Sequence, residues 1–181
     1  MKNETIKYSL VLLVITAVVA LLLGFANYFT KDIIAEMSAK NETAARERVL
    51  IGVDYDEEIE VNDNLWKYVL GENGKEPEIV GYAVMASGNG YSGTIKLMVG
   101  LDKNLNVLGV DIIEHTETPG LGDKAQGVVS PQFVGKGGPF AVTKSVAAKD
   151  NEVQAISGAT ITTKAVVDIV NNAINLVASD R

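Results

Sequence analysis

The sequence predicts an α+β protein on a membrane anchor, with one N-terminal transmembrane helix followed by a small antiparallel sheet and packed helices. Three observations predict it. Residues 8–30 carry no charged side chain. Segments 79–87, 93–101 and 107–114 are rich in β-formers, alternate in part, and are separated by the turn signals Ser87-Gly88-Asn89-Gly90 and Asp102-Lys103-Asn104. Residues 162–177 set Val166, Ile169, Val170, Ala173, Ile174 and Val177 along one helical face. Short turns between strands imply antiparallel hairpins, and strands followed by a helix imply an α+β arrangement. The expected divisions are an N-terminal tail at 1–7, the span at 8–30, a stalk helix and linker at 31–64, and the folded domain at 65–181.

The span comes first in the chain. Its 23 residues are mostly Leu, Val, Ile and Ala. As a helix they reach roughly 34 Å, against a hydrocarbon core of about 30 Å. Tyr8 lies at one end and Tyr28 and Phe29 at the other, as interfacial aromatics do. The apolar core of a cleaved signal peptide runs only about 7–15 residues, so an uncleaved anchor is expected. Orientation stays open on charge alone. Lys2 and Lys7 precede the span, and Lys31, Lys40, Arg46 and Arg48 follow it closely.

Residues 31–50 are rich in Ala, Glu, Lys and Arg and lack Gly and Pro, so the helix is expected to continue out of the membrane. Its apolar positions are loosely spaced, which favours a stalk over a core helix. Residues 52–64 are acidic and read as irregular. Residues 65–70, with Trp66, read as a short strand or turn. After the three strands, residues 115–139 form a long glycine-rich stretch with Pro119, Pro131 and Pro139. Loops of that length in a compact domain are usually functional or mobile. Residues 140–145 read as one more strand.

Composition removes several function classes. The chain has no cysteine, which excludes disulfides, thiolate zinc sites, iron–sulfur clusters and c-type haem attachment on this polypeptide. Its net charge is −7, and since residues 1–7 contribute +1, the rest carries −8. So acidic a domain is a poor partner for nucleic acid or anionic lipid. His115 is the only histidine and has no metal-ligand set around it, so a structural role is expected. Lys136 in Gly135-Lys136-Gly137-Gly138 lacks the following Ser or Thr of a P-loop. Ser157 lacks the flanking glycines of a nucleophile elbow, because Ala155 and Ala159 stand there. No hydrolase constellation is present.

Three motifs remain. Ser157, Gly158, Ala159 and Thr160 directly precede the last helix. Small residues allow close backbone approach, and a helix N-terminus offers unpaired N–H groups and a positive dipole end, which suits a phosphate. The simpler alternative is an ordinary helix start capped by Ser157 or Thr160. Residues 88–93, Gly-Asn-Gly-Tyr-Ser-Gly, fit either a hairpin turn or a glycine loop over a phosphate or ring. Residues 115–122 set Glu117, Thr118 and the turn Pro119-Gly120 directly behind a strand, ending in Leu121 and Gly122. Such a turn presents N–H groups outward, or is only a strand-to-loop corner.

In this order, behind a single N-terminal span, the three motifs resemble the FMN-binding subunits of membrane redox pumps. The resemblance covers nearly the whole chain and is nearer to the G subunit of Rnf-type ferredoxin:NAD oxidoreductases than to the usually longer C subunit of sodium-pumping NADH:quinone oxidoreductase. It implies covalent FMN, joined through its phosphate to Thr160 by a dedicated flavin transferase that uses FAD outside the cytoplasm. It implies a cofactor site made of Ser157, Gly158, Ala159, Tyr91, Ser92, Glu117, Thr118, Pro119, Gly120 and Leu121, with the flavin ring against the 90–92 and 117–121 loops. It also implies an extracytoplasmic domain, an electron-carrying role within an ion-translocating (Na+ or H+) complex of other membrane subunits, and no independent turnover. Gln154 stands where family members often carry Asp. The alternatives are a subunit of the quinone-reducing pump, or an anchored extracytoplasmic binding module without flavin.

Overall fold

The computed structural model describes residues 2–70 and 78–180. They form two compact units, residues 1–41 and 42–181. The first unit is helical, part of α1 (Lys2–Val49). Its large apolar side chains, from Leu10 through Phe29, are exposed all round. A helix that is apolar on every face suits a lipid solvent, and this one is long and apolar enough to cross a membrane.

The second unit begins with the last turns of α1 and continues as β1 (Glu57–Asn62), β2 (Leu65–Leu70), β3 (Glu78–Asn89), β4 (Thr94–Asp102) and β5 (Val107–Glu114). These strands form one antiparallel sheet in sequence order. Two short 3₁₀ turns and α2 (Ala125–Val128) follow, then the parallel pair β6 (Ala141–Thr143) and β7 (Glu152–Gln154), and finally α3 (Thr160–Asp180).

Alternation along the strands builds two cores. Tyr82 and Val84 on β3, and Ile95, Leu97, Val99 and Leu101 on β4, face α3 through Val166, Ile169, Val170 and Val177. Ala83 and Met98 point to the opposite face, where they meet Trp66, Tyr68 and the end of α1 through Ala45, Val49 and Leu50. Two strand glycines admit that helix end. A Cβ on Gly100 would strike the backbone carbonyl of Val49, and one on Gly109 would lie 3.0 Å from the Val49 Cα. Charged contacts rim the same face: Arg48 pairs with Asp111 at 2.6 Å, Lys96 with Glu42 at 2.5 Å, and the Arg46 guanidinium lies 4.5 Å from the Trp66 ring centre.

Two elements differ from the sequence reading. The acidic stretch 52–64 is not irregular throughout; it contains β1, an edge strand paired to β2 with a register shift between Glu60 and Asn62. All six of its residues are exposed, so it has no buried face to create an alternating pattern. The end of α1 is also more than a stalk, since Ala45 and Val49 are buried on the sheet. The long glycine-rich stretch is largely organised by its short helical turns. Gln126 accepts from the Ile112 N–H at 2.6 Å, and Gln132 exchanges two hydrogen bonds with the Gln154 backbone at 2.7 and 3.1 Å. Glutamine side chains thus continue strand pairing where the backbone has left the sheet.

Candidate functional site

The approach to the last helix is fixed by backbone geometry. Gln132 holds Gln154, and the Ala155 N–H donates to the Thr143 carbonyl at 2.8 Å. A tight turn follows, in which the Ala159 N–H donates to the Ile156 carbonyl at 2.9 Å and Gly158 has φ +81°. Only glycine adopts that φ without strain. The Thr163 hydroxyl accepts from the Ile156 N–H at 3.2 Å and donates to the Ala159 carbonyl at 3.0 Å, fastening the turn to the helix.

α3 therefore starts at Thr160 itself, and Ala159 occupies the capping position. Neither Ser157 nor Thr160 caps the helix: among the described residues no side-chain hydrogen bond closes on either. The simple capping alternative fails on this point, because Thr163 fastens the helix start instead. The first-turn N–H groups keep no partner within the helix. Thr160 is half-buried, Ser157 and Gly158 are exposed, and Ala159 is buried.

A cleft of about 360 Å³ opens over this helix start. That size falls within the roughly 300–1,000 Å³ of small-molecule sites. Gly158, Ala159, Thr160, Ile161 and Thr162 form one wall, and Glu117, Thr118, Leu121, Gly122 and Tyr91 form the rest. Three separate sequence motifs thus meet in one concavity. Seven of the eleven expected site residues line it: Tyr91, Glu117, Thr118, Leu121, Gly158, Ala159 and Thr160. Ser92, Pro119, Gly120 and Ser157 do not. Ser92 is exposed, with its hydroxyl 3.4 Å from that of Thr118. Pro119 and Gly120 are the central residues of a turn closed by the Leu121 N–H on the Thr118 carbonyl at 3.2 Å, with Gly120 at φ +78°.

The glycines of residues 88–93 shape a hairpin and not a phosphate cradle. The Gly90 N–H donates to the Gly93 carbonyl at 2.7 Å between β3 and β4. The N–H groups of Tyr91, Ser92 and Gly93 turn inward to the Glu117 carboxylate, Ser92 at 2.9 Å. The Ser92 N–H is thereby spent inside the loop and is not offered to the cleft. The Thr162 hydroxyl donates to the other Glu117 oxygen through a very short contact. Glu117 is only 5% exposed. Burial pushes its pKa up, but the Thr162 hydroxyl and the three N–H groups outweigh burial and hold it below the usual carboxylate range. His115 plays a local part: its Nδ1 accepts from the Glu117 N–H at 3.3 Å.

Sequence reasoning missed Gly122, Ile161 and Thr162. No local signal marked Thr162, because its partner Glu117 lies 45 positions away in the chain.

Comparison with known proteins places this geometry. Residues 90–175 match the FMN-binding domain family, and residues 1–50 match the family described as the RnfG N-terminal region. The G subunit of the Na+-translocating ferredoxin:NAD+ oxidoreductase complex of Acetobacterium woodii is 37% identical, with 94% of this chain and 90% of that protein covered. The chain belongs to this G-subunit family. A second member, the G subunit of an ion-translocating oxidoreductase complex from Methanosarcina acetivorans, is 31% identical over 98% of this chain and 96% of its own. Among solved structures, the C subunit of the Na+-translocating NADH-quinone reductase of Parabacteroides distasonis has 28% identity and a TM-score of 0.47 over 61% of this chain and 59% of that one. The family match at residues 90–175 contains every residue lining the cleft, so in this G-subunit-family chain the cleft lies wholly within the FMN-binding domain.

Proposed function

We propose that this chain is the membrane-anchored, electron-carrying G subunit of an ion-translocating ferredoxin:NAD+ oxidoreductase complex, with FMN joined through its phosphate to the Thr160 oxygen. One observation carries the reading: a hydroxyl with no hydrogen-bond partner among the described residues stands at a helix N-terminus, inside the cleft of an FMN-binding domain.

The residues present fit that group. Gly158 and Ala159 leave room for a bulky substituent beside Thr160, and the first turn of α3 supplies N–H groups and a positive dipole end to a phosphate. Tyr91 and Leu121 offer exposed apolar surface at the rim to a planar ring. When bound, FMN supplies reversible one- and two-electron chemistry. Attachment requires a flavin transferase and FAD. The Thr160 oxygen bonds to the flavin-side phosphorus, the pyrophosphate linkage breaks, AMP departs, and the hydroxyl proton is released. A tether of this kind suits a cofactor held outside the cytoplasm, and we assign the domain to that side. Other membrane subunits of the complex would supply and accept the electrons. The span has no charged side chain between residues 8 and 30, which supports leaving ion passage to those subunits.

The side of the membrane is testable because the chain has no cysteine. Val146 is 77% exposed. Val146→Cys in intact cells is expected to react with a membrane-impermeant maleimide without lysis. Labelling only after lysis would place the domain inside and contradict the assignment.

A further inference from the structure

Glu117 joins three pieces of chain that are far apart in sequence. One oxygen accepts from the Ser92 N–H at 2.9 Å, with the neighbouring N–H groups of Tyr91 and Gly93 adding to its stabilisation, and the other accepts from Thr162 on the first turn of α3. The chain is shaped around this carboxylate. A Cβ on Gly90 would collide with it, and a Cβ on Gly122 would lie 2.8 Å from Oε2 and 2.9 Å from the Thr162 hydroxyl oxygen. Among the described residues, no Lys or Arg forms an ion pair with it. Its partners are all dipoles, so the negative charge in the cleft wall is solvated but not cancelled.

We propose that Glu117 is a positioning residue whose fixed negative charge both assembles the cleft and lowers the reduction potential of the group held there. The inference rests on the FMN reading above. Adding an electron to any group in the cleft raises negative charge next to an existing negative charge, and in a partly buried site that repulsion is weakly screened. With the Ser92 N–H and the Thr162 hydroxyl donating to it, the carboxylate is held in its ionised form, so the cleft wall carries a full negative charge.

Two variants of the full chain, each made with a flavin transferase, test this with opposite expected signs. Glu117→Gln keeps the shape. Its amide oxygen can accept from the 91–93 N–H groups, and its NH₂ can donate to the Thr162 oxygen once that hydroxyl rotates. It removes the charge, so the midpoint potential of the bound flavin is expected to rise. Thr162→Val keeps the charge and deletes one of its donors, so the potential is expected to fall. A purely structural loosening of the cleft would not produce opposite shifts. A potential unchanged in Glu117→Gln, or moved in the same direction in both variants, overturns the proposal. If Glu117→Gln does not fold, the sign of the Thr162→Val shift decides alone, and no fall overturns it. Wild-type protein without flavin would instead defeat the FMN reading, and this inference with it.

Discussion

Thr160→Val is expected to lose all covalent flavin while the protein folds and melts as the wild type does. Valine has nearly the same shape and shares the stiff, β-branched side chain of threonine. The residue is half-buried, and no described hydrogen bond depends on its hydroxyl, so the cost to stability should stay within about 0.5 kcal/mol. The chemical effect is complete, because a methyl group in place of the hydroxyl forms no phosphoester. Denatured wild type run on a gel should fluoresce as a flavoprotein, and the denatured variant should be dark. A variant that fails to fold would show that Thr160 serves the helix start and not the cofactor.

Gly100→Ala is expected to be the most damaging single methyl in the second unit. Gly100 is buried in the C-terminal half of β4, and its new Cβ would enter the Val49 backbone carbonyl. Backbone cannot rotate away as a side chain can, so the end of α1 must lift from the sheet. Overpacking of this kind costs about 1–3 kcal/mol and at times more. Lifting α1 would also strain the buried contacts of Ala45 and Val49 against Met98 and Tyr68. A fall in Tm of roughly 5–10 °C follows for a unit of this size. Gly127→Ala is the control: nothing lies within 4 Å of its Cβ and it sits in α2, so it should be neutral or slightly stabilising. Equal melting of the two variants would contradict the close docking of α1 on Gly100.

Much of this architecture was legible because burial writes itself as a period. The apolar run at 8–30, the alternating strands β3, β4 and β5, and the stripe along α3 each carry a pattern set by one environment. β1 carries none, because its exposed edge needs charge and not alternation. The end of α1 was obscure for a different reason. Its core role depends on what is missing opposite it, the side chains of Gly100 and Gly109. The site divides the same way. Local motifs named Thr160, Glu117 and Tyr91, but the role of Glu117 is set by residues 25 and 45 positions away, Ser92 and Thr162. No local pattern announces a contact of that range. The hairpin glycines were visible as turn formers, yet Gly90 is also constrained by the carboxylate it faces.

The central claim is that Thr160, among several neighbouring hydroxyls, carries the cofactor. Trypsin should release residues 150–164, a peptide that contains Ser157, Thr160, Thr162 and Thr163. From wild-type chain made with a flavin transferase, this peptide should carry the added mass of FMN less one water, and fragmentation should place it on Thr160. An unmodified peptide despite an active transferase, or the adduct on Ser157, Thr162 or Thr163, would contradict the account.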